Sequence, residues 1–185
     1  MTPATNPTTN PTTNPTAGPV PLQQLWAWLE EVPDPEIPVL SVVDLGIVRE
    51  LRWLDDDSTN PALLVAITPT YSGCPATEVI AGDIETALRA HGIQNLRLEN
   101  HLSPPWTTDW ISEQGRKKLH DYGIAPPVQR AADRSAYSRR AQAQVPCPRC
   151  ASLNTAKVSE FGSTPCKAQY RCLDCLEPFD YFKCL

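Results

Sequence analysis

Residues 62–75 read ALLVAITPTYSGCP, and this stretch decides the fold that the sequence predicts. Its first six residues are all apolar, which is typical of a short strand that is buried on both faces. A segment rich in turn-forming residues follows, and Pro75 then opens a run with apolar residues at helical spacing that reaches His91. A buried strand that leads directly into an amphipathic helix predicts helices packed on one small sheet.

The flanking sequence extends this pattern on both sides. Residues 21–32 have apolar residues at helical spacing and end before Pro33, which predicts a first helix. Residues 47–53 and 95–101 have the composition and length of strands, so the predicted order is α-β-β-α-β. We therefore predict an α+β fold with a small mixed or antiparallel sheet covered by helices, and one further helix over residues 112–122.

Composition divides the chain into four parts. Residues 5–16 are three copies of TNPT, a polar sequence that cannot bury a core, and they predict a disordered tail over residues 1–20. Residues 126–145 carry four arginines without a strong apolar period and are predicted to be a linker. The other two parts are an α+β domain over residues 21–125 and a small module over residues 146–185, which holds six of the seven cysteines.

The charge and the N-terminal sequence argue against several classes of protein. The net charge is −5 and no long basic run is present, which argues against nucleic-acid binding, since that depends on Lys and Arg neutralising phosphates. There is no run of about 18 apolar residues, so no membrane-spanning helix and no membrane partner are expected. No Lys or Arg precedes Arg49 and no apolar leader is present, which predicts a cytoplasmic protein whose cysteines bind metal rather than form disulfides.

Two CxxC pairs in the C-terminal module carry a strong chemical signal. Cys147 and Cys150 form the first pair, Cys172 and Cys175 the second, and 21 residues separate the pairs. Two such knuckles can present four thiolates tetrahedrally to one ion, and a module of about forty residues needs a metal because it is too short to build its own core. We predict a structural zinc ribbon with these four ligands; iron in a rubredoxin-like site takes the same ligands, and the sequence does not distinguish the two.

Four further residues of this module depart from the simple pattern or leave alternatives open. Cys166 and Cys184 could be a second pair, alternative ligands or buried apolar residues. Ala151 and Leu176 directly follow the two knuckles, at positions where a small residue or glycine is usual, which is a mild departure from the pattern.

Cys74 is the only cysteine before Cys147, and its place just before a predicted helix is chemically significant. The amides of the first helical turn and the helix dipole favour a thiolate at such a position, and Gly73 allows a tight turn. This arrangement is typical of a reactive or metal-binding thiol, and a purely structural role stays open from the residues alone. No histidine is adjacent, so no cysteine–histidine hydrolase pair is evident.

Two acidic turns precede this cysteine in the sequence. Asp34 and Glu36 flank Pro35, and two carboxylates at such a turn either bind a metal or cap a helix; the spacing alone favours the cap. Asp44 stands two residues before Gly46, and this combination is most simply a turn into the following strand.

Two of these motifs carry a resemblance to a known family. Residues 34–48, DPEIPVLSVVDLGIV, and residues 68–76, TPTYSGCPA, resemble a domain family involved in iron–sulfur cluster assembly that includes SufT-like bacterial proteins. The resemblance covers about residues 22–102 and implies that this part of the chain has the fold of that family.

A longer resemblance runs from Leu22 to Leu185. Residues 104–127, PPWTTDWISEQGRKKLHDYGIAPP, and the cysteine motifs after them are similar to the family of small subunits encoded with the multicomponent phenylacetyl-CoA epoxidase (ring 1,2-epoxidase) of aerobic phenylacetate degradation. This resemblance implies an accessory subunit that is not itself an enzyme. Its implied partners are the oxygenase and reductase subunits of that system, and a homodimer is left open.

Together the resemblances imply a role in the maturation of metal centres. In the assembly family the cysteine of the SGCP motif and the acidic DPE turn are the expected functional groups, which in this chain are Cys74, Asp34 and Glu36. They would hold transient iron or an iron–sulfur cluster. Two alternatives stay open: a structural docking subunit that uses the loop with Trp106 and Trp110, and an electron carrier with iron in the four-cysteine site.

Overall fold

The computed structural model of the protein describes residues 19–54, 61–71, 73–128 and 144–183. Most of the predicted tail and most of the predicted linker lie outside these residues, and so does Cys184. No helix that the structure describes is both long enough and apolar enough to cross a membrane.

The helices and strands follow the order that the sequence predicts. The α-helices are α1 (Leu22–Leu29), α2 (Thr77–Ala90) and α3 (Glu113–Tyr122), and a short 3-10 helix spans Thr108–Trp110. The strands are β1 (Val48–Leu54), β2 (Ala62–Ile67), β3 (Leu96–Asn100), β4 (Ile124–Ala125), β5 (Thr155–Ser159), β6 (Lys167–Cys172) and β7 (Pro178–Phe182). The predicted α-β-β-α-β order and the further helix are confirmed, although α2 begins at Thr77 rather than at Pro75.

The first sheet is built around β2, with β1 antiparallel on one side and β3 parallel on the other. All six residues of β2 are buried, as their uninterrupted apolar sequence predicts. The helix α2 is the crossover from β2 to β3 and packs Ile80, Ile84 and Leu88 into the core. The loop that holds Cys74 therefore lies at the carboxyl end of the central strand.

The second sheet has the order β4-β7-β6-β5 and includes a strand that precedes the predicted linker. The strand β4 pairs parallel with β7, where Ile124 opposes Asp180. Phe182 of β7 and the nearby Cys166 belong to the hydrophobic core of the first sheet. The N-terminal and C-terminal parts are thus joined by strand pairing and by a shared core, while the domain boundaries predicted from composition stay predictions.

The two tryptophans before α3 are part of the packed interior. Trp106 is 4% exposed, its indole N–H donates to the Leu45 carbonyl oxygen (2.9 Å), and its ring centroid lies 6.1 Å from that of Phe182. Trp110 is half-buried, and the Arg49 guanidinium lies 3.6 Å from its ring centroid. The Trp106 side chain is therefore used in packing, while the docking role suggested for this loop stays a prediction.

Asp44 connects the turn before β1 with the start of α3. Its Oδ2 accepts hydrogen bonds from the Ser41 N–H (3.1 Å) and from Lys118 Nζ, and its Oδ1 accepts one from the Ser112 hydroxyl (3.1 Å). Ser112 is the N-cap of α3 and accepts from the Gly115 N–H (2.8 Å). Burial by itself raises the pKa of Asp44, but Lys118, the Ser41 N–H and the Ser112 hydroxyl together lower this pKa below its ordinary value.

Replacing Asp44 with asparagine should measure this connection. We expect Asp44→Asn to lower the free energy of unfolding at pH 7 by about 2 kcal/mol, since hydrogen bonds to charged groups contribute about 1.5–3 kcal/mol. Because the folded pKa lies below the unfolded one, the aspartate contribution is present above about pH 4 and is lost as the pH falls through the folded pKa. Urea unfolding at about pH 7 and pH 2.5 tests both statements.

The matched control for this experiment is Asp121→Asn. Asp121 pairs with Lys117 on the exposed face of α3, and such exposed pairs contribute little to stability. Equal losses of stability in the two variants at pH 7 would contradict the special role of Asp44.

Gly46 is required by the close approach of the loop before α3. It has a positive φ of 64°, and a Cβ at this position would lie 2.6 Å from the Trp110 carbonyl oxygen. We expect Gly46→Ala to lower the free energy of unfolding by about 2 kcal/mol or more, through left-handed strain and a backbone clash. The control Gly82→Ala, in the open middle of α2, should instead raise it by about 1 kcal/mol. Chemical denaturation measures the free energy of unfolding of both variants. A stabilising effect of Gly46→Ala would contradict the close approach of Trp110 to Gly46.

Candidate metal centres

The four cysteines of the two CxxC pairs come together at one end of the second sheet. All four Sγ atoms lie within 4.8 Å of one another. The Cys147 and Cys175 Sγ atoms are 3.8 Å apart, and those of Cys150 and Cys172 are 3.6 Å apart. Tetrahedral zinc with Zn–S bonds of about 2.3 Å separates its sulfur ligands by about 3.8 Å. The donor set and its dimensions therefore fit one zinc ion with no open coordination position.

The backbone after each knuckle explains how the sulfur atoms are aimed. Ala151 and Leu176 have left-handed φ values of 60° and 66°, the conformation that glycine usually provides at these positions. The Cys175 N–H points at Cys172 Sγ, with an N···S distance of 3.5 Å. The chain thus keeps the knuckle geometry without the glycine, at a strain cost that metal binding must offset.

Charge is distributed unevenly among these thiols. The Cys175 N–H stabilises the Cys172 thiolate and lowers the pKa of Cys172 to about 7. A backbone hydrogen bond from Ser152 lowers the pKa of Cys150, but the neighbouring thiols and partial desolvation outweigh it and raise this pKa to about 12. Four adjacent thiolates repel one another, so a cation is what allows all four to lose their protons together.

Loss of one ligand should release the ion and loosen the second sheet. We expect Cys150→Ser to lower zinc content from one per chain to well below one and to increase amide hydrogen exchange in β5, β6 and β7, because a module this small depends on its metal. Metal analysis and hydrogen exchange measure the two effects. The control Cys74→Ala should keep its zinc, and a Cys150→Ser protein with a full zinc content would contradict the assignment.

A second cluster of ligand-type side chains surrounds a small cavity between the two parts of the molecule. The cavity has a volume of about 20 Å³ and is lined by Asp34, Glu36, Cys74 and Cys166 among apolar side chains. The structure therefore brings together the three residues that the resemblance singled out, Asp34, Glu36 and Cys74. Their role stays a prediction.

Asp34 shapes the turn that presents Glu36. Its Oδ1 accepts hydrogen bonds from the Glu36 N–H (3.0 Å) and the Ile37 N–H (2.7 Å), so Asp34 caps a turn. No helix lies between α1 and β1 in the described residues, so this is not the helix cap that the spacing favoured. Asp34 is 7% exposed. Burial raises its pKa, although the two N–H groups and the positive charge of Lys167 act in the opposite direction.

Cys166 is the member of this cluster that the sequence did not predict. It comes from the zinc ribbon and is 5% exposed. Its Sγ lies 3.7 Å from Glu36 Oε2 and 3.0 Å from the Thr164 hydroxyl. Burial raises the pKa of the Cys166 thiol to about 11. The only sequence signal was that Cys166 is left over once the CxxC pairs are assigned.

Tyr71 lies within electrostatic reach of three side chains that line the cavity. Its pKa is raised first by burial and then by the nearby acidic groups of Cys74, Glu36 and Cys166. Three acidic side chains from different segments thus lie within electrostatic reach of one phenol. Cys74 itself is half-buried and stands three residues before α2.

The three histidines lie elsewhere. The His91 ring stacks on Trp28 with centroids 4.0 Å apart, His101 contacts Glu99 and His120 contacts Asp121. They are ordinary packing or surface residues.

Two family models match separate parts of the chain. A model described as an iron–sulfur cluster assembly protein matches residues 22–93. A model described as the PaaD zinc beta ribbon domain matches residues 131–183, which include all four clustered cysteines.

Individual relatives cover the same two parts. A protein of Escherichia coli (strain K12), provisionally named as a subunit of 1,2-phenylacetyl-CoA epoxidase, is 46% identical over 167 residues, which are 90% of this chain and 95% of the relative. The Fe-S protein maturation auxiliary factor SufT of Staphylococcus aureus (strain USA300) is 32% identical over 87 residues, which are 46% of this chain and 93% of the relative. A solved domain of unknown function from Bacillus anthracis is 27% identical and has a TM-score of 0.47. The match covers 52% of this chain and 89% of the chain of that domain.

Proposed function

Because this chain belongs to the PaaD family of 1,2-phenylacetyl-CoA epoxidase subunits, we propose that it is a non-catalytic accessory subunit that matures the metal centres of such an oxygenase system. Its cargo is transient iron or an iron–sulfur cluster for the oxygenase or the reductase. Its partners are those subunits, and a cytoplasmic location stays a prediction.

The observation that carries this proposal is the convergence of Cys74, Asp34 and Glu36 on one cavity. They do so within the part of the chain that matches the iron–sulfur cluster assembly model and resembles SufT. A thiol and a carboxylate are both suitable ligands for iron. A half-buried thiol can release the bound metal to ligands of a partner. The site therefore has the chemistry needed to receive a metal and to pass it on.

The zinc ribbon serves a different purpose. Four cysteines saturate a tetrahedral zinc ion, and zinc does not change its oxidation state, so this site neither binds substrate nor carries electrons. The match to a zinc ribbon thus gives no support to the electron-carrier alternative. We propose that the ribbon holds β7 in place, and that β7 in turn holds one wall of the cavity.

A structural docking role is the second candidate. The ribbon exposes several large apolar side chains, which a partner could cover: Val158 (62% exposed), Phe161 (65%), Leu173 (50%) and Leu176 (58%). In this reading the subunit would act by its surface, and Cys74 would be dispensable.

Replacing Cys74 distinguishes the two candidates. In cells that produce the complete epoxidase system, we expect Cys74→Ala to reduce epoxidase activity to the level of cells without this subunit, because the cargo thiol is lost. The control Val79→Ala changes an exposed residue of α2 and should leave activity unchanged. Activity and iron content of the purified oxygenase and reductase are the measurements.

The variant must first be shown to be folded. Cys74→Ala should keep its zinc, and its melting temperature should lie within a few degrees of that of the native protein. Full epoxidase activity with a folded Cys74→Ala subunit would contradict the maturation role and favour docking.

A further inference from the structure

Three segments that are distant in the sequence meet at the small cavity. Glu36 comes from the turn after α1, Cys74 from the loop after β2, and Cys166 from the ribbon just before β6. We propose that Cys166, Cys74 and Glu36 together bind a single transition-metal ion, so that the zinc ribbon completes the cargo site. This inference rests on the proposed function, because the ion is its cargo.

The separation between Cys166 and Glu36 suits two ligands of one ion. Their Sγ and Oε2 atoms are 3.7 Å apart. A tetrahedral ion with metal–sulfur and metal–oxygen bonds of about 2.3 and 2.1 Å holds such ligands about 3.6 Å apart. A weak S–H···O hydrogen bond has a similar length, so the distance alone does not identify a ligand. The cavity and the second thiol beside this pair point to the ion.

The size of the cavity selects a single ion over a cluster. Its volume is about 20 Å³, and a cavity needs roughly 10–15 Å³ to hold one water molecule. A metal ion is no larger than a water. A [2Fe–2S] cluster adds a second iron and two sulfides, each larger than a water, and would not fit without opening the packed wall that includes Phe182.

The donor types select the class of metal. Two thiols and one carboxylate favour borderline or soft ions such as iron(II), cobalt(II) or zinc(II) over magnesium or calcium, which prefer oxygen ligands throughout. Asp34 acts as a positioning residue, because its Oδ1 is engaged by the Glu36 and Ile37 N–H groups and thereby fixes the Glu36 backbone.

The charge around the cavity is arranged to hold such an ion. When both thiols are deprotonated, the two thiolates and the carboxylates of Glu36 and Asp34 carry four negative charges. A divalent ion reduces the net charge of this group to −2. Lys167 is 5% exposed, acts electrostatically on Asp34, and lies with its Nζ 3.8 Å from Asp180 Oδ2. The ribbon thus supplies a thiol that lines the cavity and a buried positive charge that acts on Asp34, one of the lining carboxylates.

Cys74 is the ligand that has to move. Among the described residues, the four ribbon cysteines form the only preassembled group of three or more candidate metal ligands, so Cys74, Cys166 and Glu36 do not yet form such a group. Cys166 and Glu36 are held by packing and by the Asp34 turn, whereas Cys74 is half-buried in a loop. We assign capture and release of the ion to Cys74, and its retention to the other two.

The binding step balances without any oxidant or reductant. The hydrated divalent ion exchanges three of its water ligands for two thiolate sulfurs and one carboxylate oxygen, and each thiol gives up its proton to solvent. Transfer to a partner reverses these bonds one at a time as ligands of the partner replace them.

Anaerobic titration of the full chain with cobalt(II) tests the proposal. The protein first carries one zinc per chain, and mass spectrometry verifies that this zinc is retained. We expect one cobalt to bind with thiolate-to-metal charge-transfer absorption. Cys166→Val keeps an apolar side chain in the packed position and should raise the Kd by more than about 100-fold, since even the loss of an outer-shell partner costs about 10- to 100-fold. It should also halve the absorption per cobalt.

The matched control is Thr164→Val, which removes the hydroxyl beside Cys166 and keeps the thiol. Its cobalt Kd should stay within a few-fold of the native value. Should Cys166→Val not fold, Cys166→Ser replaces it in the same titration, with the same expected loss of sulfur absorption.

Three results would overturn the proposal. The first is unchanged affinity and absorption in the Cys166 variant, which leaves Cys74 as the sole thiol and leaves the maturation role intact. The second is iron bound with acid-labile sulfide after reconstitution, which assigns a cluster to the site. The third is no cobalt bound beyond the zinc; the maturation role is then judged separately by the activity of cells with Cys74→Ala.

Discussion

The binding of four thiolates to one zinc ion is the constraint on which the rest of the structure depends. The buried cluster of the ribbon has only seven residues, and two of them, Cys147 and Cys172, are zinc-site cysteines. Burial of so little apolar surface does not fix three strands. The zinc site holds the turns at one end of the ribbon, β7 then pairs with β4, and Phe182 reaches the core of the first sheet.

With the cavity site that we propose, the molecule would have two metal sites of opposite character. The ribbon site has four sulfur ligands and no open position, which suits permanent binding. The cavity site mixes thiols with carboxylates, and one of its thiols is half-buried in a loop, which suits exchange. A protein that delivers a metal needs both properties, because a stable framework must present ligands that release their ion.

The two acidic turns before β1 have separate tasks. Asp34 caps its own turn and holds the backbone of Glu36, whose carboxylate faces the Cys166 thiol. Asp44 holds the N-terminus of α3 through Ser112 and Lys118, and α3 leads directly into β4. The first turn therefore shapes the cavity from one side, and the second fixes the segment that carries the chain to the ribbon sheet.

The sequence by itself determined the elements and the zinc site. The apolar run of β2, the helical spacing of α1 and α2, and the two CxxC pairs are local patterns, and each reports a local requirement of backbone or metal geometry. The resemblance to the assembly family added the prediction that Cys74, Asp34 and Glu36 are the functional groups. The tertiary structure decided what no local pattern encodes: that Trp106 is buried, that β4 joins the ribbon sheet, and that Cys166 lies 3.7 Å from Glu36 across 130 residues of sequence. These contacts follow from how two sheets share one core, and that depends on the simultaneous packing of distant side chains rather than on the order of neighbouring ones.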